Sequence, residues 1–425
     1  MKLLSKPEYL EMLDETRDKR MAWWRDARFG MFVHYGLYSA LGRNEWAMSL
    51  ENWPLEEYKK LASRFLYKSG AAETWADLAL KAGMKYMVLT TRHHDGFSLW
   101  DSQVNPYNSV NFGPKVDIVA QFVEACRKRN LRIGFYSSLM DWSHPDGGSA
   151  AYDSAARKRF LDYIYALNEE LLTKYGQIDV LWYDVPCPME NHEGWNSLEM
   201  NQRLRAIQPN IIINDRCNLP EDFGTPEEHL GGDGKRDWES CMTFNGISWG
   251  YVDSAQAEPY SYNAQRIVKM LATASSMGGN LLLNIGPTPD GSVPIEAIEP
   301  LKTVGRWLEK YGECAYGKLD RSPHRFAHGV CTISFKGRTV YLWNWIWPDE
   351  GEIVVGGFKG KLKAARMVGS GKPIQFEQDG WRIFLKNLNE SDPIMGVAVI
   401  ALEFDEDFEH IPCSGSPALN NGRVL

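Results

Sequence analysis

Residues 177–186 read QIDVLWYDVP, and this short stretch decides the predicted fold. Ile178, Val180 and Leu181 form an apolar run of the length that a fully buried parallel strand has. Asp184 then places a carboxylate at the carboxyl end of that strand, where the active site of an α/β barrel lies. Two interpretations stay open at this point, a structural carboxylate in a helix cap or ion pair and a functional one.

Length and composition favour a large globular protein and exclude several classes. The chain has 425 residues, which suits a barrel of about 250 residues plus a smaller domain. A content of 44% hydrophobic and 24% charged residues excludes disordered and collagen-like chains. The net charge is −8 and the 47 basic residues are scattered, so we expect no nucleic-acid partner. The 52 aromatic residues (16 Trp, 19 Tyr and 17 Phe) suit either a large aromatic core or stacking against sugar rings.

The cysteines and the N-terminal residues indicate the cellular compartment in which we expect the protein. The seven cysteines are widely spaced and contain no CxxC pair, which is typical of reduced thiols. Residues 1–20 alternate in charge and have no apolar core of a signal peptide, and no stretch of about 18 apolar residues occurs. We therefore expect a cytoplasmic protein with no membrane partner, while a signal peptide removed from the chain stays open.

Strand and helix patterns alternate along the first two thirds of the chain. Besides the stretch above, strands are predicted over 29–35, 86–91, 132–137, 211–214 and 280–285, and helices over 1–28, 71–83, 117–130, 154–175, 196–207, 262–277 and 294–311. The alternation predicts a (β/α)8-like barrel over residues 1–317. Residues 217–260 interrupt it, so the sixth and seventh strands are not placed, and Pro300 predicts a kink or a late start of the last helix.

After residue 318 the apolar period changes to two, as in antiparallel strands. Strands are predicted over 330–335, 339–343, 352–358, 381–385 and 397–404, with turns between them. The pattern predicts a C-terminal antiparallel β-sandwich domain over residues 318–410 and a peripheral tail over 411–425.

Polar and aromatic side chains collect at the carboxyl ends of the predicted barrel strands, in the arrangement that a sugar-sized substrate needs. They are His34, Glu45, Trp46, His93, His94, Tyr136, Trp182, Asp184 and Arg216.

A metal site is the main rival interpretation, with the three histidines and Asp184 as ligands. His93 and His94 are adjacent, so on a strand they point to opposite faces unless a turn re-aims one of them. Histidines satisfied within the core are a further alternative. No GxSxG, P-loop or GxGxxG motif occurs. Carboxylates among aromatic residues are the combination that glycoside cleavage uses.

Several motifs in one order resemble a known family. They read WWRDARFGMFVHYGLYS (23–39), NEW (44–46), TTRHHDGFSLWDS (90–102), GFYSSLMDW (134–142), IDVLWYD (178–184), NDR (214–216), WESCMTFNGISWGY (238–251) and GGNLLLNIGPTPDG (278–291). Over most of residues 20–317 the chain resembles the α-L-fucosidases of glycoside hydrolase family 29. It departs from the family at Tyr35, and at Val185-Pro186, where a glycine often follows the nucleophile.

The resemblance implies roles for the residues at the strand ends. It makes Asp184 the nucleophile of a retaining mechanism that needs no cofactor and no metal. It assigns substrate binding to His34, Glu45, Trp46, His93, His94, Tyr136, Trp182 and Arg216, with Trp249 or Tyr251 near the methyl group of the sugar. The acid/base residue is predicted as Glu227, while Glu228 and Glu239 stay open as alternatives.

The predicted function is hydrolysis of terminal α-L-fucosyl residues from fucosylated oligosaccharides or glycoconjugates. The partner is thus a small-molecule carbohydrate, and oligomerisation stays open. The alternatives are an inactive or transglycosylating fucose-binding relative, and a metal-dependent barrel hydrolase. Measuring fucose binding beside hydrolysis separates the first alternative, and a chelator separates the second.

Overall fold

The computed structural model describes residues 2–254, 262–322, 331–347, 349, 351–388 and 395–411, and the backbone of 326–328. The helices are α1 (Lys6–Ala27), α2 (Ala47–Leu50), α3 (Leu55–Tyr58), α4 (Ala71–Lys81), α5 (Ile118–Lys128), α6 (Ser154–Lys174), α7 (Ser197–Ile207), α8 (Ala264–Ser276) and α9 (Ile295–Tyr311). The first strands are β1 (Phe29–Val33), β2 (Tyr86–Arg92), β3 (Arg132–Ser138), β4 (Val180–Asp184), β5 (Ile212–Ile213), β6 (Glu239–Met242) and β7 (Asn280–Ile285). The later strands are β8 (Phe326–His328), β9 (Cys331–Lys336), β10 (Thr339–Asn344), β11 (Ile353–Gly356), β12 (Phe358–Lys359), β13 (Leu362–Met367), β14 (Gln375–Asp379), β15 (Arg382–Lys386), β16 (Ala398–Phe404) and β17 (Glu409–His410).

Contacts divide the chain into two compact units. The first comprises Met1–His229, Arg236–Asn263 and Asn280–Lys302, and the second Leu230–Lys235, Ala264–Gly279 and Thr303–Leu425. The domain limits predicted from the sequence stay predictions, and residues 412–425 of the predicted tail lie outside the described residues. Within the described ranges, no helix has the length and apolar character needed to cross a membrane.

The first unit is built on a parallel sheet with the strand order β5-β4-β3-β2-β1-β7-β6. Its edge strands β5 and β6 are joined by a bridge, residues 222–224. Asp222 N–H donates to the Ile213 carbonyl at 2.9 Å, and Glu239 N–H donates to the Gly224 carbonyl at 2.9 Å. This connection confirms the (β/α)8-like barrel. In place of the expected sixth strand, Phe223 forms an isolated backbone pair with Asn214, and Gly224 forms one with Trp238.

Apolar side chains fill the barrel because its strands are covered on both faces. Every residue of β1, β2, β4 and β7 is buried, as expected for parallel strands. Phe32, Tyr86 and Trp182 belong to one apolar cluster that has residues from all seven strands of this sheet and from α1. The Tyr86 ring fits only because Gly30 stands opposite, where a Cβ atom would lie 2.4 Å from the ring.

Helix α1 fixes the bridge through buried ion pairs. Arg20 Nη2 lies 2.6 Å from Asp222 Oδ1, and Arg25 Nη2 lies 2.7 Å from Asp237 Oδ2. The Trp24 ring packs on Phe223 with the centroids 5.0 Å apart. The bridge is therefore anchored by side chains from a distant part of the sequence.

The second unit confirms the antiparallel β-sandwich. A five-stranded sheet (β13-β16-β10-β9-β8) and a three-stranded sheet (β11-β15-β14) share one apolar core, and β12 pairs with β17. Side chains of that core come from both sheets, for example Ile333 and Leu402 from the first and Ile383 and Val355 from the second.

Two details differ from the predictions. Helix α9 starts at Ile295 and contains Pro300, so the late start is wrong; its apolar residues Leu301, Val304 and Trp307 are buried, and tertiary packing supplies most of the stability of such a helix. Strands β13 and β14 were not predicted because β13 buries only Leu362 and Ala365, three residues apart, and β14 buries no residue, so neither has a clear apolar alternation.

Candidate active site

A cavity opens at the carboxyl ends of β1 to β6. It is lined by Phe32, His34, Trp46, His93, His94, Tyr136, Trp182, Asp184, Val185, Arg216, Glu227, Cys241 and Trp249. The structure thus brings together every side chain singled out in the sequence as catalytic or substrate-binding except Glu45.

Glu45 lies behind the cavity wall. Its Oε2 accepts hydrogen bonds from the Ser248 hydroxyl and from the backbone N–H of Trp249 at 3.0 Å and Gly250 at 3.2 Å. This carboxylate therefore holds the loop that carries Trp249, and its direct contact with substrate stays a prediction. Of the two residues proposed near the sugar's methyl group, Trp249 lines the cavity and Tyr251 does not.

Asp184 ends strand β4 and is held by two donors. Arg216 Nη1 donates to Oδ1 at 2.5 Å, and the Tyr136 hydroxyl donates to Oδ2 at 2.8 Å. Burial opposes ionisation of this carboxyl, but the charge of Arg216 and the hydrogen bonds from Tyr136 and Arg216 hold its pKa below the ordinary value. Asp184 is thus kept as a carboxylate with a fixed orientation.

Arg216 connects Asp184 with Glu227. Its Nη2 donates to Glu227 Oε2 at 2.7 Å, while its Nε donates to the Thr225 hydroxyl at 3.0 Å. The guanidinium also lies over the Trp182 ring, 4.8 Å from the centroid. Two carboxylates are therefore bound to adjacent nitrogens of one planar group.

The three glutamates considered for the acid/base role lie in different surroundings. Glu227 lines the cavity and its side chain is 41% exposed. Glu228 accepts a hydrogen bond from the Thr243 backbone N–H at 2.5 Å. Glu239 is 1% exposed and is hydrogen-bonded beneath Trp182, outside the cavity lining.

The histidines of the cavity are neutral. His34 Nδ1 lies 2.7 Å from Asn284 Oδ1 and must donate, because that oxygen can only accept. His94 Nδ1 lies 2.7 Å from the Ser138 hydroxyl, which itself donates to the Met140 carbonyl. Burial lowers the pKa of His34 to about 3 and that of His94 to about 4, and it lowers the pKa of His93 well below its usual value.

His93 and His94 both line the cavity although they are adjacent in the sequence. Strand β2 ends at Arg92, and its register against β3 shifts between Thr90 and Arg92. The two imidazole rings follow this irregularity in a turn, with centroids 4.0 Å apart. The turn has thus re-aimed one ring, which the sequence left open.

Three lining residues were missed by the sequence analysis. Phe32 lies two residues before His34 on β1, so the period of the strand was a usable signal. Cys241 lies on β6, which was not placed. Val185 has a backbone φ of 41°, which is rare for a β-branched residue and cannot be read from the sequence.

No group of three or more His, Cys, Asp or Glu side chains in the part of the chain that the structure describes is arranged to hold a metal ion. The histidine and aspartate cluster instead presents polar atoms to the cavity. His93 Nδ1 and His94 Nε2 are buried and have no hydrogen-bond partner among the described residues.

Known proteins share this architecture. Residues 3–313 match the family model described as Alpha-L-fucosidase. The plasma alpha-L-fucosidase of Homo sapiens is 31% identical over 421 residues, covering 88% of each chain. The structure of alpha-L-fucosidase isoenzyme 1 from Paenibacillus thiaminolyticus superposes with a TM-score of 0.84 at 31% identity, covering 92% of this chain and 100% of that one. A family 29 alpha-L-fucosidase from Bacteroides thetaiotaomicron, trapped as a covalent intermediate with 2-fluoro-fucosyl fluoride in a glutamate-to-glutamine mutant, superposes with a TM-score of 0.82 at 26% identity, covering 92% and 97%.

Proposed function

The chain belongs to the alpha-L-fucosidase family of glycoside hydrolases, family 29, and we propose that it hydrolyses terminal α-L-fucosyl residues of fucosylated glycans through a covalent intermediate on Asp184. Glu227 is the proposed acid/base residue. The single observation that carries this proposal is the Arg216 guanidinium, which binds the carboxylates of Asp184 and Glu227 on adjacent nitrogens.

Because they bind the same guanidinium, the side chains of Asp184 and Glu227 lie near each other. This suits a retaining mechanism, in which the two carboxyl groups lie about 5–5.5 Å apart. Asp184 attacks the anomeric carbon while protonated Glu227 gives its proton to the departing glycosidic oxygen. Glu227 then takes a proton from water, which attacks the anomeric carbon and releases the Asp184 carboxylate. The covalent intermediate trapped in the Bacteroides thetaiotaomicron relative supports this reaction class.

Arg216 has a defined electrostatic part in this sequence. Formation of the ester removes the negative charge of Asp184, and proton donation creates one on Glu227. The same guanidinium contacts both groups, so the positive charge stays matched to one carboxylate in both steps. Burial opposes the charged form of Arg216, but Asp184 foremost, together with Glu227, raises the pKa of the guanidinium, so the residue remains a cation.

The histidines supply polar contacts for the sugar. A buried nitrogen without a partner is costly unless a ligand completes it, and His93 Nδ1 and His94 Nε2 are both in this state. Neutral imidazole can donate through one nitrogen and accept through the other, as sugar hydroxyls require. Trp249 and Phe32 form the apolar part of the wall, suited to the methyl group of fucose.

Hydrolysis of a panel of α-L-fucosides, with the first product followed by NMR, tests the proposal. We expect release of L-fucose that is initially the α anomer. Initial release of the β anomer would overturn the retaining mechanism. Binding of fucose with no hydrolysis of any fucoside in the panel would show a sugar-binding relative instead.

A further inference from the structure

Glu239 is a buried carboxylate that the proposed mechanism does not use. It lies at the start of β6 and is 1% exposed. Its Oε1 accepts a hydrogen bond from Trp182 Nε1 at 3.1 Å. Its Oε2 accepts from Trp24 Nε1 at 3.3 Å and from the Tyr86 hydroxyl. Indole nitrogens can only donate, so this position needs an acceptor with more than one oxygen.

Trp182 connects Glu239 with the nucleophile proposed above. The Arg216 guanidinium packs over the Trp182 indole, 4.8 Å from the ring centroid. Tyr136 stacks on the same indole, with centroids 5.8 Å apart and planes inclined by 17°. Arg216 and Tyr136 are the two side chains that donate hydrogen bonds to Asp184.

We propose that Glu239 is a positioning residue for the reaction: its carboxyl group fixes the Trp182 indole, and the indole fixes the Arg216 and Tyr136 side chains that orient Asp184. Glu239 touches neither the cavity nor the reacting atoms, so it acts through Trp182 alone. This inference rests on the proposed function, because it assigns a cause to the orientation of the nucleophile.

A glutamine at position 239 keeps the shape of the side chain and removes half of its acceptors. The single amide oxygen can accept a hydrogen bond either from Trp182 or from Trp24 and Tyr86. The amide NH2 then lies against the remaining N–H or O–H donors, with which it forms no hydrogen bond. A displacement of about 1 Å at a reacting group costs up to about a hundredfold in rate. We therefore expect Glu239→Gln to lower kcat for an aryl α-L-fucoside about tenfold to a hundredfold.

The binding of free fucose separates positioning from general damage. The histidines that bind the sugar are held by Asn284 and Ser138, so the inhibition constant of L-fucose should change by less than about twofold in Glu239→Gln. Glu221→Gln is the matched control, because Glu221 is equally buried in the same unit and bonds Tyr9, Asn201 and Arg205 instead. It should lower stability and leave kcat unchanged.

A double-mutant cycle with Trp182→Phe tests the route. If Glu239 acts through the indole N–H, Trp182→Phe lowers kcat by itself, and adding Glu239→Gln to it costs less than about twofold more. In a Tyr86→Phe background the full effect of Glu239→Gln should remain. Trp182→Phe also serves if Glu239→Gln does not fold, since it removes the same hydrogen bond.

Two results overturn the inference. One is a folded Glu239→Gln or Trp182→Phe variant with kcat within twofold of wild type. The other is a cycle in which the two losses simply multiply. A wild-type protein that hydrolyses no α-L-fucoside contradicts the proposed function instead, and the two failures are thus distinguishable.

Discussion

Asp184 owes its orientation to two donors, and the charge of one of them keeps it ionised. Replacement by alanine removes the group that is proposed to form the covalent intermediate. We expect Asp184→Ala to lower kcat at least about a thousandfold, since removal of a nucleophile costs that much or more in comparable enzymes. Added azide enters the space left by the carboxylate and gives the inverted product, a β-fucosyl azide, detectable by NMR.

Asp179→Asn is the control for this prediction. Asp179 directly precedes the same strand, at its other end, where it pairs with Arg132. Its loss should affect stability and leave the rate of hydrolysis within about twofold. A soluble Asp184→Ala protein with more than a small fraction of wild-type turnover would contradict the assignment of the nucleophile.

Glu227 is distinguished from its alternatives by exposure to the cavity, so the second prediction concerns the leaving group. Without an acid, Glu227→Ala should barely cleave natural fucosides, whose alcohols need protonation, and should still react with an aryl fucoside of an acidic phenol. Azide then attacks from the side of the departed group and gives an α-fucosyl azide. Azide rescue of this kind in Glu228→Ala or Glu239→Ala, and none in Glu227→Ala, would move the acid/base role.

Residue positions at the site could be predicted to different degrees. The positions of Asp184, Tyr136 and His34 at the cavity could be predicted, because the carboxyl ends of all strands lie on the same side of a parallel barrel. The orientation of His93 and His94 depends on an irregular register of β2 against β3, which is a property of two strands together. The role of Glu45 behind the wall likewise depends on a loop some 200 residues away.

Helix α1 is the element that holds the bridge of the barrel, and the third prediction concerns it. Arg25 binds Asp237 through Nε and Nη2, and both side chains are buried, at 8% and 2% exposure. Breaking a buried ion pair at one partner costs about 3–5 kcal/mol. We expect Arg25→Met to lower the free energy of unfolding by at least about 3 kcal/mol, to which the lost pair with exposed Asp18 adds little.

Urea denaturation measures this change, with Lys158→Met as the control. Lys158 pairs with Asp162 on the surface of α6, where both side chains are more than half exposed. Such a pair contributes about 0–1 kcal/mol. Equal losses in the two variants would show that α1 does not anchor the bridge.

The local apolar pattern was enough to predict a strand that is fully buried. It was not enough where contacts with distant residues determine the position of a segment. Strand β7 was predicted with its observed limits, Asn280–Ile285, because its apolar run is continuous. The bridge at Phe223 and Gly224 has no such run. Its position is set by Asp222 and Asp237 and by the arginines of α1, and no window of sequence contains both sides of those ion pairs.

Two sets of buried groups should make the stability of the whole molecule depend on pH in opposite directions. The folded-state pKa values of His34, His93 and His94 are depressed, so below about pH 6.5 the unfolded chain binds protons that the native state does not, and through these groups stability rises with pH. Two carboxyls act in the other direction between about pH 5 and 7. Burial raises the pKa of Glu239 and of Asp95 to about 7, well above the values of an unfolded chain. Between those limits the native state binds protons that the unfolded state has released, so acid favours folding, by at most about 1.4 kcal/mol per pH unit for each group. Above pH 7 the dependence from these two groups ends.

Urea unfolding at several pH values from 5 to 8 checks this prediction. In the double variant Glu239→Gln with Asp95→Asn neither replacement titrates, so the histidine contribution remains alone and stability should rise more steeply with pH than in wild type. If wild type and the double variant had the same slope, the two carboxyls would not retain their protons in the folded protein.

The bridge at residues 222–224 also has a consequence for the evolution of such a protein. Asp184 stands on β4, which is paired along both edges, with β3 and with β5. Glu227 lies outside the regular strands, in a segment that pairs with β6 only through isolated bridge pairs, its own with Cys241 among them, and such segments tolerate insertions and deletions better than regular elements do. A lineage can therefore change the surroundings of the proposed proton donor, and with them the choice of leaving group, while the proposed nucleophile on β4 is inherited unaltered.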